Sequence, residues 1–466
     1  MRPTLKQSYL IGTATLVAGM ALVTGLGARS VSGTDRTWNL ASQLHIGRAR
    51  NVILFIGDGM GDSEITIARN YQLGARGRLT MDRLPLTGEY TTFALQEANP
   101  ALVDYVTDSA ASGTGWATGQ KTSNGRISTI AGSTAVSPIP TILELAQRAG
   151  FKVGNVTTAE LTDATPAVLD SHINNRGCQG PADMGSCAAY KKEVGGPGSI
   201  AEQSVDHRVD VLLGGGRDRF AQTITGGPFT GQTVIQAAQA VGYDVVEDKS
   251  ALAAITPGRK VLGLFNKGNM SLEWTGLQAA PFPGTGPQQC VENQREQLTN
   301  EPSLADMTTK AIDLLDDDGW SHRGYRGFFL QVEGASIDKQ DHAENPCQQI
   351  GETIAFDAAI KVAINFARRN PDTLIVVTAD HGHTSQIVPV PSASESVARP
   401  GNLSTLLTKE GALMGVNYGS RAHLQSQDHT GTQVRIAAQG PQAANVVGVT
   451  DQTDLFHTMA RALGLE

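Results

Sequence analysis

The chain reads Phe328-Phe329-Leu330-Gln331-Val332-Glu333-Gly334-Ala335-Ser336-Ile337-Asp338-Lys339-Gln340-Asp341-His342, an apolar run joined directly to a cluster of ionisable side chains. The apolar run 328–332 predicts a buried central strand. Its end therefore brings three carboxylates, a lysine and a histidine to the edge of a core, where each charge needs a partner or a metal ion. Asp338 and His342 are four residues apart, so on a helix they share one face and have the spacing of two ligands to one cation. A solvated charged loop is the alternative for this stretch taken alone.

Two other apolar runs end in the same manner. The run 52–56 leads into Gly57-Asp58-Gly59-Met60-Gly61-Asp62, where glycines permit a sharp turn, and the run 374–378 leads into Ala379-Asp380-His381-Gly382-His383. Open α/β sheets bind their ligands at the carboxyl ends of parallel strands. Three strand ends that all carry Asp or Glu, two of them with His as well, predict a multinuclear metal site.

The alternation of apolar runs with helical patterns along the 466 residues predicts a single elaborated α/β domain. We expect a large, mostly parallel central sheet flanked by helices on both faces. Helices are predicted at 140–150, 303–315, 351–368 and 451–463, and further strands at 152–156 and 209–213. The segments 217–289 and 388–404 carry no motif; the second reads as a surface excursion, and both are candidates for shaping substrate access or a subunit interface.

The net charge of −8 argues against nucleic acid as the main partner. The N-terminal residues have the pattern of an export signal, because Arg2 and Lys6 precede an apolar stretch and small residues follow it. We expect a signal peptide at 1–28, a flexible arm at 29–45 and a catalytic domain at 46–466. An uncleaved membrane anchor is the alternative. With no second apolar segment of spanning length, the mature protein is expected to be free of the membrane, in the periplasm or secreted.

The four cysteines, an even number behind an export signal, predict disulfides. Three connectivities are possible, and we favour Cys178 with Cys187 and Cys290 with Cys347. Because no pair has C-x-x-C spacing, a thiolate zinc site is not expected.

A candidate nucleophile lies in the small-residue run 107–115, where Ser109 would open a helix. A serine there faces backbone amides and the positive end of the helix dipole, which suits a phosphoryl centre. An ordinary N-cap serine is the alternative. No G-x-S-x-G elbow supplies a histidine base, so a metal ion would have to activate the hydroxyl.

Seven motifs together resemble those of the bacterial alkaline phosphatases, most closely the enterobacterial periplasmic members, from about residue 45 to the C-terminus. They are Asp58 in GDGMGD, Asp108-Ser109-Ala110, Asp163-Ala164-Thr165, Arg176 two residues before Cys178, VEGASIDKQDH at 332–342, TADH at 378–381, and Asp428-His429-Thr430-Gly431. The resemblance implies a metal-dependent phosphomonoesterase that hydrolyses small phosphate monoesters through a phosphoserine and releases inorganic phosphate. It also implies a homodimer.

The resemblance further implies ligand sets for two Zn²⁺ ions and one Mg²⁺ ion. The first zinc would be bound by Asp338, His342 and His429. The second zinc would be bound by Asp58, Asp380 and His381. The magnesium would be bound by Asp58, Thr165 and Glu333. Imidazole and carboxylate ligands suit zinc, and an all-oxygen set suits magnesium. Asp163 would lie in the outer shell of the magnesium site.

Four residues carry the implied chemistry. Ser109 would be the nucleophile, Arg176 would bind two phosphate oxygens, and Asp108 would orient that arginine. Lys339 would add positive charge through water near Asp163.

Other ionisable residues near the motifs receive simpler interpretations. His383 is expected to support a ligand carboxylate. Asp62 and Asp341 are interpreted as loop-stabilising or solvated acids, and Asp316-Asp317-Asp318 as a solvated helix end. Histidines outside the motifs are interpreted as surface or structural; they are His172, His207, His322, His423 and His457.

Three other functions compete with the phosphomonoesterase. A phosphodiesterase could use a similar site, but Arg176 and Lys339 together suit a dianionic monoester. A sulfatase needs a Cys/Ser-x-Pro-x-Arg context, which the Ser109 region lacks. A non-catalytic zinc or phosphate scavenger would keep the metal ligands without needing Ser109.

Overall fold

The apolar run that opens the sequence analysis forms a central strand, Phe328–Gly334, in the computed structural model of the chain. The structure describes residues 40–295, 299–316, 326–392, 395 and 398–466. The predicted signal peptide, residues 29–39 of the predicted arm, Asp317, Asp318 and His322 lie outside the described residues. Residues Leu44–Glu466 cluster as one compact unit.

The strands, in chain order, are β1 (Asn51–Gly57), β2 (Leu86–Thr91), β3 (Ala94–Leu95), β4 (Val103–Asp104), β5 (Lys152–Glu160), β6 (Val211–Gly215), β7 (Tyr243–Val246), β8 (Lys260–Leu264), β9 (Trp274–Thr275), β10 (Ala280–Pro281), β11 (Thr285–Gln288), β12 (Val291–Glu292), β13 (Phe328–Gly334), β14 (Thr373–Ala379), β15 (Gln386–Val388), β16 (Asn402–Leu407), β17 (Leu413–Tyr418), β18 (Val434–Gln439) and β19 (Gly448–Asp451).

The α-helices are α1 (Asp62–Leu73), α2 (Ser109–Thr118), α3 (Ile142–Arg148), α4 (Ala164–Asp170), α5 (Ile200–Asp206), α6 (Arg217–Phe220), α7 (Val234–Ala240), α8 (Lys249–Ala254), α9 (Leu304–Leu315), α10 (Ser336–His342), α11 (Pro346–Ala367) and α12 (Asp454–Leu463). Among the described residues, no helix is both long and apolar enough to cross a membrane.

Ten strands form the main sheet in the order β19-β2-β18-β14-β1-β13-β5-β6-β8-β7. β18 runs antiparallel to its neighbours β14 and β2, and the other pairs are parallel, which confirms the predicted mostly parallel sheet. A second sheet has the order β10-β16-β17-β15, with β11 also paired to β16.

Helices cover both faces of the main sheet, as β13 shows. On one face Phe328 packs against Phe366 of α11, with ring centroids 5.8 Å apart. On the other face Gln331 accepts a hydrogen bond from Nε1 of Trp116 in α2 (3.1 Å) and donates to the carbonyl of Thr165 in α4 (2.8 Å). Residues three apart on a strand point to opposite faces. Every residue of β1, β13 and β14 is consequently buried, as their continuous apolar sequence predicted.

Two predicted helix starts and two predicted segments differ most from the structure. The helix predicted from Gly351 begins at Pro346, since proline suits the first turn of a helix. The helix predicted from Asp451 begins at Asp454, because 448–451 pair with β2 as an edge strand. The segment 217–289, in which no strand was predicted, contributes β7 and β8 to the main sheet. Asn402 to Ser404 of the segment 388–404 belong to β16 of the second sheet.

Both favoured disulfides are present, Cys178–Cys187 and Cys290–Cys347, across sequence separations of 9 and 57 residues. Cys347 lies in the first turn of α11, five residues after His342. The longer disulfide therefore fastens the loop between β11 and β12 to the chain directly behind the predicted metal ligands.

Candidate metal centre and active site

The three strand ends meet because β1, β13 and β14 are in register. Gly57 of β1 lies opposite Gly334 of β13 on one side and Ala379 of β14 on the other. The residues that follow each strand therefore leave the sheet side by side at its carboxyl edge. Asp58 and Asp380 follow β1 and β14 directly, and α10, which carries Asp338 and His342, begins two residues after β13.

Asp58, Asp380 and His381 form what we call the buried cluster, whose possible ligand atoms lie within 4.8 Å of one another. Nε2 of His381 is 3.2 Å from Oδ2 of Asp380 and 3.4 Å from Oδ1 of Asp58. The other oxygen of Asp380 accepts hydrogen bonds from the backbone N–H groups of Gly59 (2.8 Å) and His381 (2.9 Å). The turn after β1 thus holds the Asp380 carboxylate and leaves Oδ2 facing the cluster.

Asp338, His342 and His429 form the half-exposed cluster. Nε2 of His342 is 3.3 Å from Oδ2 of Asp338, and Nε2 of His429 is 3.3 Å from Oδ1 of the same carboxylate. The two imidazole Nε2 atoms are 3.0 Å apart. The ring of His429 also stacks on that of His381, with centroids 3.5 Å apart, so the two clusters adjoin.

The three histidines of these clusters direct the same nitrogen toward the centre. Nδ1 of His429 faces the carbonyl oxygen of Thr107 at 3.0 Å, Nδ1 of His381 faces that of Gly382 at 3.3 Å, and Nδ1 of His342 faces that of Gln427. A carbonyl oxygen only accepts, so Nδ1 carries the hydrogen in the neutral ring. Nε2 is then left with its lone pair facing the carboxylates, as a metal ligand requires.

His383 has the opposite arrangement. Its Nδ1 accepts a hydrogen bond from the backbone N–H of Thr384 (2.9 Å), so its Nε2 carries the hydrogen. That nitrogen lies 3.4 Å from Oδ1 of Asp338. In this tautomer Nε2 offers no lone pair to a metal ion, and it lies beside, without hydrogen-bonding to, the carboxylate that His383 was expected to support.

Carboxylate oxygens that point into the clusters lack hydrogen-bond partners among the described residues. They are Oδ1 of Asp58, Oδ1 of Asp338 and Oδ2 of Asp380. A buried carboxylate oxygen without a partner is costly, and a bound cation would remove that cost. The donor set and these oxygens fit the zinc ions that the family resemblance implied.

The pKa of the histidine in the buried cluster and the pKa of His429 in the half-exposed cluster shift in opposite directions. Burial and the neighbouring carboxylates Asp380 and Asp338 raise the pKa of Asp58 well above its usual range. Burial lowers the pKa of His381 well below its usual range, with His429 adding to the effect. Burial would also lower the pKa of His429, but the contact with Asp338 outweighs it and raises the pKa to about 9.

Ser109 is the first residue of α2, and its helix is capped by Asp108, whose Oδ1 accepts from the backbone N–H of Ala111 (2.9 Å). Ser109 is therefore not the N-cap residue that the alternative interpretation proposed. Its hydroxyl is buried and lies 3.4 Å from Nε2 of His381, against the buried cluster. A ten-residue helix thus presents its positive end together with this hydroxyl to the metal centre.

Arg176 is held by two carboxylates. Its Nη1 donates to Asp108 (3.2 Å) and its Nη2 to Asp163 (2.9 Å). Asp163 also accepts from Nζ of Lys339 (2.7 Å). Burial would raise the pKa of Asp163, but the charges of Lys339 and Arg176 hold it below its ordinary value. The contact between Lys339 and Asp163 is direct, whereas the sequence predicted only that they lie near one another.

Glu333, the penultimate residue of β13, is fully buried and accepts a hydrogen bond from the hydroxyl of Thr157. Burial raises the pKa of Glu333 to about 8 despite that bond. Gln331, two residues earlier on the same strand face, donates to the carbonyl of Thr165, so α4 begins against this face. Glu333 and Thr165 thus lie on the side of the sheet where Asp163 caps α4.

The comparisons with known proteins agree with this geometry. A family model described as alkaline phosphatase matches residues 49–422 and 402–465. The alkaline phosphatase of Escherichia coli K12 is 50% identical over 447 residues, which cover 94% of this chain and 91% of that protein. Streptomycin-6-phosphate phosphatase of Streptomyces griseus is 53% identical over 420 residues, covering 90% of this chain and 91% of that protein.

The chain belongs to the alkaline phosphatase family.

Solved structures of the family share the fold. Alkaline phosphatase from the Antarctic bacterium TAB5 superposes with a TM-score of 0.67 at 22% identity, covering 90% of this chain and 99% of that one. The Thermus thermophilus enzyme gives 0.67 at 23% identity, covering 94% and 96%. The protein is a hydrolase of a metal-dependent family, and its described residues include groups able to hold metal ions.

Of the acids and histidines predicted to be peripheral, Asp341 is the one whose interpretation as a loop-stabilising or solvated acid is wrong. It is fully buried, and neither of its carboxylate oxygens has a hydrogen-bond partner among the described residues. Burial and the nearby Glu64 raise its pKa well above the usual range. It lies next to His342 in α10, and the charges of both Glu64 in α1 and Asp338 act on it. Asp62, by contrast, is exposed and pairs with Arg435.

Sequence reasoning missed the groups that hold the ligands from behind. Thr157 bonds Glu333, and the backbone carbonyls of Thr107 and Gln427 orient His429 and His342. Thr157 could have been found only from the register of the sheet, in which Thr157 of β5 pairs with Glu333 of β13. Carbonyl contacts leave no mark on a sequence, because every residue has a carbonyl.

Proposed function

We propose that the protein hydrolyses small phosphate monoesters through a covalent phosphoserine on Ser109, in a site that holds two Zn²⁺ ions and one Mg²⁺ ion. The observation that carries this proposal is the position of the Ser109 hydroxyl, buried at the start of α2 and 3.4 Å from the imidazole of the buried cluster. A serine placed only to cap a helix has no need of that neighbour.

The half-exposed cluster and the buried cluster would each hold one zinc ion, and Asp58, Thr165 and Glu333 would hold magnesium, with Asp163 in its outer shell. Bound there, the metal ions would act as Lewis acids on the ester and neutralise charge that develops on its oxygens. The unpartnered oxygens of Asp58, Asp338 and Asp380 support this assignment.

The chemical steps assigned to the chain begin with Ser109. Its Oγ gives up its proton and forms a bond to phosphorus while the bond from phosphorus to the ester oxygen breaks, and the ester oxygen takes up a proton as the alcohol leaves. A water molecule then forms a bond to the same phosphorus, the bond to Oγ breaks, and Ser109 recovers a hydrogen as phosphate departs. The positive end of α2 favours the negative charge of the phosphoryl group in both steps.

Arg176 would orient the phosphoryl group. Each of its terminal nitrogens has two N–H groups and spends one on Asp108 or Asp163, so each keeps a donor for a phosphate oxygen. The two carboxylates fix the plane of the guanidinium before substrate arrives, which lowers the entropy lost on binding. Asp108 and Asp163 are thus positioning residues, and Lys339 holds Asp163 in its charged form.

The two cations, on which the sequence argument relied, are not by themselves a source of preference for a monoester over a diester. Arg176 and Lys339 are already matched by Asp108 and Asp163, so these four residues together carry no net charge. The attraction for a dianionic monoester would then come from the bound metal ions rather than from the two cations.

The deciding experiment is mass spectrometry of enzyme quenched in acid during turnover of 4-nitrophenyl phosphate, comparing the wild type with Ser109→Ala. We expect a phosphate on the Ser109 peptide of the wild type and none in the variant, which keeps its metal ions and Arg176 and so retains phosphate affinity. Slow residual turnover through direct attack by water is compatible with the proposal.

Ser250→Ala is a matched control, because Ser250 is an exposed serine in the first turn of another helix, α8. It should keep both activity and the phosphoserine. If the wild type turns over substrate but never carries phosphate on Ser109 at any pH tested, the covalent mechanism is wrong.

The substrate range is the next question under this proposal. The Streptomyces griseus relative is named for streptomycin 6-phosphate. We propose small phosphate monoesters in general as substrates, and streptomycin 6-phosphate belongs in the panel because of the 53% identity. Comparing kcat/KM between that ester and 4-nitrophenyl phosphate would separate a broad enzyme from a dedicated one.

We also propose export to the periplasm or beyond, with residues 1–28 as the signal peptide and 46–466 as the catalytic domain. The basic and apolar N-terminal sequence and the two disulfides support this location. A homodimer is proposed on the resemblance to the family. N-terminal sequencing of the secreted protein and sedimentation of the purified protein test these two points.

A further inference from the structure

A third group of possible metal ligands lies outside the site described above. Nε2 of His172 is 3.2 Å from Oε1 of Glu144, and Nε2 of His207 is 3.1 Å from the same oxygen. The possible ligand atoms of the three residues lie within 4.8 Å of one another. The interpretation of His172 and His207 as surface or structural residues did not anticipate this convergence, because the three residues come from separate segments.

Both imidazoles of this group face an acceptor at each ring nitrogen. Nδ1 of His172 lies 3.0 Å from the carbonyl oxygen of Ser128, and Nδ1 of His207 lies 3.0 Å from that of Gln203. Nε2 of each ring faces the Glu144 carboxylate. A neutral imidazole has one hydrogen and cannot donate on both sides. If Nδ1 carries the hydrogen in each ring, as its carbonyl partner requires, both Nε2 lone pairs face the Glu144 carboxylate, and a cation between these three groups would remove that repulsion.

The catalytic clusters of the same protein show the same pattern. There, too, Nδ1 of each ligand histidine faces a backbone carbonyl and Nε2 faces a carboxylate, whereas Nδ1 of the supporting His383 accepts an N–H. By this criterion His172 and His207 resemble the ligand histidines and differ from His383. A backbone carbonyl on Nδ1 is the usual outer contact of a metal-binding histidine.

The spacing also suits zinc. Two ligands about 2.05 Å from a tetrahedral zinc ion are about 3.3 Å apart. The Nε2 to Oε1 separations of 3.2 and 3.1 Å in this group are close to that value, and the corresponding separations in the catalytic clusters are 3.2 and 3.3 Å. Two imidazoles and a carboxylate are a common protein donor set for zinc.

Three protein ligands leave a fourth position, and it would open on a cavity. His172 and His207 line a cavity of about 450 Å³ together with Gln203, Asp206 and the loop 195–197. His172 and Glu144 are nearly buried, whereas His207, the residue that follows α5, is partly exposed. An ion could therefore enter from the cavity side, with water completing its coordination.

We infer that Glu144, His172 and His207 bind a further Zn²⁺ ion, separate from the catalytic metal centre. The ion joins α3, the segment after α4 and the C-terminal end of α5, three elements that meet here through side chains. His172 is four residues before Arg176, so the ion also fastens the segment that leads to the phosphate-binding arginine. A site with one open position exchanges its zinc more readily than a closed four-ligand site.

The first test counts zinc in His207→Gln. The full-length wild type and the variant are dialysed to equilibrium against a buffer of defined free Zn²⁺ and saturating Mg²⁺, and zinc per chain is measured by mass spectrometry. We expect one zinc fewer per chain in the variant. Thermal unfolding measured with and without added zinc should show a zinc-dependent rise in Tm for the wild type that is smaller in the variant.

His457→Gln is the matched control, because His457 is an exposed histidine on α12 that pairs with Glu466 and belongs to none of the three clusters. It should bind as much zinc as the wild type. Equal zinc content in His207→Gln and His457→Gln would overturn the inference.

A second measurement on the wild type does not depend on any variant folding. Crystals grown with Zn²⁺ are measured on both sides of the zinc absorption edge. An anomalous peak bounded by Nε2 of His172, Nε2 of His207 and Oε1 of Glu144 is expected in addition to the peaks of the catalytic centre. Catalytic peaks without this one would contradict the inference.

Discussion

The buried cluster and the half-exposed cluster use the same kinds of ligand but are built in different ways. Asp58, Asp380 and His381 leave the ends of two adjacent parallel strands, and His381 has no exposed surface. His342 lies on the short helix α10, and His429 comes from a loop that returns to the site near the C-terminus; their side chains are 29% and 14% exposed. Sheet register and the turn after β1 thus hold the first cluster together, whereas the second depends on a loop that folds back to the site from near the C-terminus.

The two clusters also differ in the protonation of their histidines. In the protein without metal, burial keeps the His381 imidazole neutral, and contact with Asp338 keeps His429 protonated up to a pKa of about 9. Two histidines with stacked rings therefore have opposite pKa shifts. Desolvation outweighs the other effects on the pKa of His381, whereas the hydrogen bond and the charge of Asp338 outweigh desolvation at His429. Zinc must displace a proton from His429 but none from His381.

The largest effect that tests this comparison is removal of the metal ions. Chelation should abolish activity and lower Tm together, since a ligand at 1,000 times its Kd stabilises a fold by about 4 kcal/mol. The half-exposed cluster should lose its zinc first. Activity, Tm and zinc content followed in one sample during chelation check this order. Full activity in protein shown to be free of zinc would contradict the proposed function.

Substitution of one ligand in each cluster should give the next largest effect. We expect Asp380→Asn to lower kcat/KM on the order of 10³-fold and His429→Gln on the order of 10²-fold, because loss of a metal ion removes several kcal/mol of transition-state stabilisation. Excess zinc should restore His429→Gln more fully, since its cluster is open to solvent. Steady-state kinetics across a zinc titration measure both effects.

Asp244→Asn and His457→Gln serve as controls for these two variants, because both residues lie in surface ion pairs. They should retain wild-type kinetics. A larger loss in His429→Gln than in Asp380→Asn would show that the half-exposed cluster, and not the buried one, dominates catalysis.

The smallest expected effect is a difference in proton release. The metal-free protein holds a proton on His429 below about pH 9, and zinc requires the neutral ring, so zinc binding near neutral pH should release that proton. For this group, zinc affinity should rise with pH by about tenfold per unit and level off above about pH 9. Calorimetry in buffers of different ionisation enthalpy measures the release. His429→Gln should release fewer protons than the wild type, and an equal number would refute the assignment.

The sequence predicted the strand ends well because they depend on a local pattern. Continuous apolar runs ending in Asp58, Glu333 and Asp380 predicted both the parallel sheet and the edge at which ligands meet. His429 and Arg176 were placed by family resemblance alone, because periodicity does not tell which loop folds back onto a sheet edge. The structure supplied the missing distances.

The remaining misses have the same physical origin. Asp341 is one residue from His342 and is fully buried, although it was interpreted as a loop-stabilising or solvated acid. Glu144, His172 and His207 converge from α3, the segment after α4 and the residue after α5, which share no motif. A contact between residues far apart in sequence depends on tertiary packing, and a single sequence shows composition and period but not packing.

The late position of His429 in the chain has a consequence for biosynthesis. During synthesis, β1, β13 and β14 emerge with their acidic ends well before residue 429, and β18, which pairs with β14, emerges later still. A chain that stops short of this point would lack both a zinc ligand and the strand that covers β14, and it would expose the unpaired N–H and C=O groups of that strand. Truncated chains would therefore differ from full-length ones in both metal retention and solubility, two properties by which a cell can sort finished protein from fragments.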